Sequence, residues 1–149
     1  MILGAISSNG NLKIKLVEGK YTAKCYKEDL ENDFLPWWKS EFLNETVIWQ
    51  QDNALIHTAV AATNLFSTNN IELLNWPSYS PDLNIIENSW SVMNDLVYKN
   101  KQYHNKKELI NAINDAAVKI DKNTTINLYK TYENRLIDLI KFNGYKINY

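Results

Sequence analysis

One cysteine, Cys25, excludes an internal disulfide, and with only His57 and His104 beside it no Cys/His set has the spacing of a zinc site. No apolar run approaches the roughly 20 residues of a membrane span, and the opening MILGAISSNG lacks the basic-then-apolar layout of a secretion signal. A soluble, intracellular protein with no membrane partner is expected, nuclear if the source is a eukaryote. Glycine and proline are scarce, and of 16 basic residues only Arg135 is arginine, while Asn, Ile, Lys and Tyr abound. That skew fits an AT-rich coding sequence and carries no functional information.

What is present suffices for a core: 149 residues, 45% apolar, with five tryptophans. The formal net charge of -1 gives no global argument for a nucleic-acid partner, yet the charge is unevenly placed. Residues 1–39 carry six Lys against five acids, and residues 99–149 carry ten basic residues against five acids. Between them, residues 40–98 contain no Lys or Arg and seven acids: Glu41, Glu45, Asp52, Glu72, Asp82, Glu87 and Asp95. Such a block reads either as ordinary surface acid or as a cation-binding centre beside a phosphate-binding tail.

Periodicity predicts a strand over Met1 to Ser7, a turn at Ser8-Asn9-Gly10 and a second strand from Asn11 to Glu18, an Asn-Gly hairpin. From Thr22 to about Phe42 the pattern is helical, with Tyr26, Leu30, Phe34 and Trp38 four apart and Pro36 dividing or kinking the helix. A strand over Thr46 to Gln51, a helix over His57 to Thr68 and a strand over Ile71 to Trp76 make a parallel strand-helix-strand unit. After the breakers Pro77 to Asp82, a helix carries Ile86, Trp90, Met93 and Val97 on one stripe. Two helices follow. One is opened by the capping-box pair Asn105 and Glu108 and buries Leu109, Ile113, Ala116 and Ile120. The other spans Thr124 to Asn143, with Leu128, Tyr132, Leu136 and Ile140 inward and Gly144 as its stop. The sum is an α/β domain with a mixed sheet.

The stretch VIWQQDNALIH ends an apolar strand on Asp52. In open α/β sheets ligands bind beyond the carboxyl ends of parallel strands, which makes Asp52 a candidate ligand, but an Asp before a helix is equally a cap. Glu87 stands in the first turns of the next long helix, at the border of its apolar stripe. Two carboxylates brought together from separate elements repel unless a cation neutralises them, and hard oxygen donors favour Mg²⁺ or Mn²⁺. A lone Asp/Glu pair is weak support for a metal site, and capping is the default.

The residues around the pair change that weighting. QQDNALIHTA (residues 50–59) resembles the second catalytic motif of mariner-type DDE transposases, and WPSYSPDLNIIENSW (residues 76–90) resembles their third. Between Asp52 and Glu87 lie 34 residues, the spacing of the branch with two aspartates and a glutamate. GAISSNG is similar to the family's hairpin after its first catalytic strand, and FLPWW to the following helix; the last 25 or so residues match only loosely. Two motifs in order at that separation are highly specific.

The resemblance implies a ribonuclease-H-like mixed sheet with flanking helices over residues 1–104 and two extra C-terminal helices over residues 105–149. It implies a metal-dependent endonuclease, using Mg²⁺ or Mn²⁺, that cuts transposon ends and joins them to target DNA. Carried over residue by residue, Asp52 and Glu87 become the second and third catalytic, metal-binding carboxylates. Asn53, Ala54 and His57 match around the first, Ser80, Pro81, Asp82, Leu83 and Asn84 match the turn before the glutamate helix, and Asn88 and Trp90 match after it. His57 reads as a helix-start or satisfied histidine, or as a group touching the substrate phosphate. Asp82 reads as a helix cap rather than a ligand. Lys99, Lys101, Lys106 and Lys107 are candidate DNA-backbone contacts, or a solvated helix junction.

Two departures matter. Ile85 stands where the family usually has proline, a tolerable change in a first helical turn. The family's first catalytic aspartate lies on a central strand preceding the segment that matches Met1 to Ser7, so the expectation is a transposase fragment, catalytically incomplete alone, lacking that strand and the upstream DNA-binding domains. A second expectation is a non-enzymatic interaction protein that pairs with full-length transposase and inhibits it; as partner, a second copy in a homodimer is the other expectation. A third is another ribonuclease-H-like nuclease that borrows Asp29 or Asp33, acids a solvated helix face would carry anyway.

Overall fold

The computed structural model describes residues 1–43 and 45–147, which divide into two compact units. One comprises Met1 and residues 16–79; the other comprises residues 2–15 and 80–149. The strands form two two-stranded sheets, the hairpin of β1 (Ile2–Ile6) with β2 (Leu12–Leu16) and the parallel pair of β3 (Ile48–Trp49) with β4 (Glu72–Leu73).

In the first unit the helical stretch is broken as expected, but by a π-helical turn rather than by Pro36 itself. Helix α1 (Ala23–Asp29) runs into the π turn Leu30–Phe34 and then α2 (Leu35–Glu41), with Pro36 among the first residues of α2. Apolar residues four apart overshoot a 3.6-residue turn by about 40° at each step. The wider turn, closed by the Leu35 amide on the Leu30 carbonyl, absorbs the overshoot, so Tyr26, Leu30 and Phe34 all stay buried.

The parallel pair forms with Ile48 opposite Glu72 and Trp49 opposite Leu73, but both strands are far shorter than their apolar runs suggest. The connecting helix α3 (Val60–Thr68) also starts three residues later than expected. The cause is local: the His57 and Thr58 amides both donate to the Ala54 carbonyl, so the chain turns before it winds. Phe66 of α3 is buried and its ring lies 5.4 Å from that of Trp49, closing helix onto strand.

In the second unit, α4 (Ile85–Tyr98) buries Ile85, Ser89, Met93 and Val97, one residue out of phase with the expected stripe at its first two positions; Ile86 and Trp90 are half-buried. Helix α5 (Lys106–Lys119) has its capping box, with Asn105 Oδ1 accepting from the Glu108 amide at 3.0 Å while Glu108 accepts from the His104 amide at 2.9 Å. Ile113, Ala116 and Ile120 are buried as expected, and Leu109 half-buried.

The expected last helix is two, α6 (Lys122–Lys130) and α7 (Tyr132–Lys141). Thr131 divides them, its amide and hydroxyl both donating to the Leu128 carbonyl, the competition with helical bonding that threonine brings. The expected inward face of α7 is wrong: Leu136 and Ile140 are exposed, at 40% and 76%, and Arg135 is buried at 2%. Helix α7 ends at Lys141, two residues earlier than expected; Asn143 (φ +53°) and Gly144 (φ +81°) form the left-handed turn behind it, closed by the Gly144 amide on the Leu139 carbonyl.

The hairpin is held by close packing. A Cβ on Gly4 would stand 2.4 Å from Cη2 of Trp90, so the indole of α4 lies where a side chain on β1 would be. At the turn, Gly10 has φ +85° and a Cβ there would meet the Lys122 carbonyl at 2.6 Å. Tyr129, its phenol pushed up to about 12 by burial, donates to the Ile6 carbonyl at 3.3 Å. Gly4→Ala is expected to destabilise the chain by about 1–3 kcal/mol, the usual cost of overpacking, as read from urea unfolding. Combined with Trp90→Phe, it should cost less than the two single changes added together.

Candidate functional site

Asp52 leaves β3 on the second loop residue past Gln50 and is exposed. Its Oδ1 accepts from the Ala54 amide at 3.0 Å, an Asx turn, and lies 2.5 Å from Nδ1 of His57. Both contacts fall on one oxygen of a carboxylate whose side chain is 55% exposed, so the group is oriented by the chain yet open to solvent. Asp52 is therefore not a helix cap, since α3 begins eight residues later behind Ala59; it closes a loop turn without using up the carboxylate.

His57 is fixed from behind. Its ring lies 4.5 Å from that of Tyr26, which is 3% exposed, and the Tyr26 hydroxyl donates to Gln51 Oε1 at 2.7 Å. Gln51 Nε2 in turn donates to the His57 carbonyl at 3.0 Å. Burial, with the Asp52 charge adding to it, holds the Tyr26 phenol above its ordinary range, so it remains a donor. Asn53 Nδ2 donates to the Trp76 carbonyl at 2.9 Å and lies 3.4 Å from Ser78 Oγ, tying the aspartate loop to the segment after β4. The three motif residues Asp52, Asn53 and His57 thus form one constellation.

Glu87 belongs to the other unit. Three turns build its approach: the Leu83 amide donates to Ser80, Asn84 to Pro81 and Glu87 to Asn84. Asn84 is the N-cap residue of α4, extended at φ -82° and ψ 104°, but its side chain makes no cap hydrogen bond. Glu87 is the third helical residue and exposed, where a carboxylate also meets the positive end of the helix dipole.

Asp82 does not cap α4, whose N-cap residue is Asn84: its Oδ2 accepts from the Ile147 amide at 3.0 Å. Its carbonyl accepts from Arg135 Nη1 at 2.9 Å, and Asn88 Oδ1 accepts from Arg135 Nη2 at 2.8 Å. The role of Asn88 is thus to receive a guanidinium. Of the four lysines, all exposed, Lys99 caps the end of α4, Lys101 donates to the Leu96 carbonyl at 3.2 Å, and Lys106 and Lys107 open α5.

Among the described residues no three or more His, Cys, Asp or Glu side chains gather as a metal-binding cluster. The donor chemistry still suits a hard cation: the two motif carboxylates are exposed oxygen donors, one already oriented by a backbone amide and an imidazole. Tyr26, Gln51 and Arg135 are the supporting residues that sequence reasoning missed. Tyr26 and Gln51 are 25 residues apart, and nothing in the pattern pairs them. Arg135 did leave a signal, as the only arginine of the chain.

Comparison with known proteins follows the same residues. The family described as DDE superfamily endonuclease matches residues 1–110. The Tc3 transposase of Caenorhabditis elegans is 35% identical over 150 residues, covering all of this chain and 45% of that protein. The chain therefore spans less than half the length of that relative. Among solved structures, the catalytic domain of the Mos1 mariner transposase superposes with a TM-score of 0.83 at 17% identity, covering 99% of this chain and 75% of that one. The Mos1 mariner paired end complex with Mn gives a TM-score of 0.78 at 18% identity, over 99% of this chain and 44% of that one. The expected mixed α/β fold is therefore the fold of that catalytic domain, and the loosely matching C-terminal stretch is included in both alignments. With both motifs in place on that fold, the chain belongs to the DDE superfamily endonucleases.

Proposed function

We propose that this chain is part of a cut-and-paste DNA transposase, in which Asp52 and Glu87 hold Mg²⁺ or Mn²⁺ for cleavage and joining of DNA strands. The observation that carries the reading is Asp52. A carboxylate leaving a parallel strand, oriented by the Ala54 amide and His57 yet more than half exposed, is built to meet something from solvent. Family membership supports the same assignment for Glu87, and the Mos1 paired end complex contains Mn. A cation so held would activate a water or a sugar hydroxyl and stabilise the leaving oxygen of a phosphodiester.

The protein's own part is placement. Asn53 and the Asx turn set where Asp52 points, and His57, wedged against Tyr26, limits how far the carboxylate can swing. Lys99, Lys101, Lys106 and Lys107 supply cations to a DNA backbone, in the part of the sequence where basic residues outnumber acids. Lys106 and Lys107 sit in the first turn of α5, where a cation opposes the helix dipole, a placement that an anionic partner would favour. Action on chromosomal DNA places the protein in the nucleus of a eukaryotic host.

In this reading a third carboxylate comes from sequence outside these 149 residues, so the chain alone assembles a partial site. Isothermal calorimetry with Mn²⁺ is expected to show binding that weakens at least tenfold in both Asp52→Asn and Glu87→Gln, with circular dichroism unchanged. Equal affinity in wild type and both variants would overturn the assignment. His57→Ala should weaken binding less than Asp52→Asn does, because it removes an orienting group and not a ligand. The chain alone should leave supercoiled plasmid DNA uncut in Mn²⁺; nicking that Glu87→Gln abolishes would show that no further carboxylate is needed.

A further inference from the structure

Burying an arginine costs several kcal/mol unless its donors are satisfied, so a chain that otherwise uses lysine has kept Arg135 for its fork. Three of its nitrogens are engaged: Nη1 with the Asp82 carbonyl at 2.9 Å, Nη2 with Asn88 Oδ1 at 2.8 Å, and Nε with Thr131 Oγ1 at 3.2 Å. The two terminal contacts straddle Glu87 in the chain. One holds the turn before α4, the other the residue just after Glu87, and the third ties the group to the start of its own helix.

From this geometry we infer that Arg135 is a positioning residue for Glu87, clamping the segment from Asp82 to Asn88 so that the carboxylate is presented from a fixed turn. The turn needs such a clamp because the Asn84 side chain supplies no cap. A second tie acts at the same point, the Ile147 amide on the Asp82 carboxylate, so the end of the chain and α7 converge on the glutamate turn. The C-terminal helices are then part of the site's support and not a peripheral extension. Lysine cannot replace the group, since a single ammonium offers no planar pair of donors to a carbonyl and an amide oxygen at once.

The proposal rests on Glu87 binding metal as described above, and a double-mutant cycle separates the two ideas. Mn²⁺ affinity is measured by calorimetry on the whole chain for Arg135→Lys, alone and combined with Glu87→Gln or Asp52→Asn, with thermal unfolding alongside. The expected result is an affinity about tenfold lower in Arg135→Lys, no further loss when Glu87→Gln is already present, and an additional loss on the Asp52→Asn background. Equal losses on both backgrounds would mean a general structural effect and would overturn the positioning role.

Asn88→Ala keeps Arg135 and its bond to Asp82, so it tests the clamp where Arg135→Lys fails to fold; a folded Asn88→Ala chain with wild-type affinity would also overturn the proposal. If Glu87→Gln itself leaves affinity unchanged, or wild type binds no Mn²⁺, the metal assignment falls and the positioning role falls with it.

Discussion

The unit that carries the glutamate motif depends on one desolvated cation. Arg135 is buried, and its contacts join three segments: the Ser80 to Asn84 turns, which Ile147 also holds, the first turn of α4, and the break between α6 and α7. Removing the guanidinium would leave a carbonyl and an amide oxygen, both on half-buried residues, without that donor, at a cost below the roughly 1–3 kcal/mol of a fully buried unpaired group. The contacts are reciprocal, since the same oxygens are what make a buried charge tolerable. That mutual need explains why α7 turns an arginine inward and leaves Leu136 and Ile140 in solvent.

The aspartate motif solves a similar problem without a buried charge. Its loop needs partners for backbone groups between β3 and α3, and finds them in the Asx turn and the Gln51 amide, while the Asn53 side chain ties the loop to the Trp76 carbonyl beyond β4. Structural and chemical readings of these residues are therefore not rivals. Asp52 closes a turn with one oxygen and still presents a carboxylate to solvent, while Asp82, of the same residue type and in the other motif, gives its carboxylate to Ile147.

How much of this could be read beforehand follows from how local each cause is. The Asn-Gly hairpin, the Asn105/Glu108 capping box, the turn at Gly144 and the parallel pair were legible, because each is set by residues within a few positions or by a clear alternation. The one-residue shift on α4 was not, because Ser89 is buried as a small residue at a packed position that hydropathy passes over. The α7 face was misread because apolar periodicity predicts the cheapest burial, whereas the arginine is held by partners 47 and 53 residues away. Asp52 and Glu87 were found through their motifs; the residues supporting them, Tyr26, Gln51 and Arg135, belong to no motif and are joined only by the fold.

The rarity of arginine has one more consequence. A protease that cuts after arginine meets a single cleavable bond in these 149 residues, between Arg135 and Leu136. Its specificity pocket must seize a side chain already gripped by Asn88, Thr131 and the Asp82 carbonyl, in a backbone wound into a helix. Scission can proceed only from molecules in which α7 has opened there, so the rate of this single cut is a clock for the breathing of the glutamate turn.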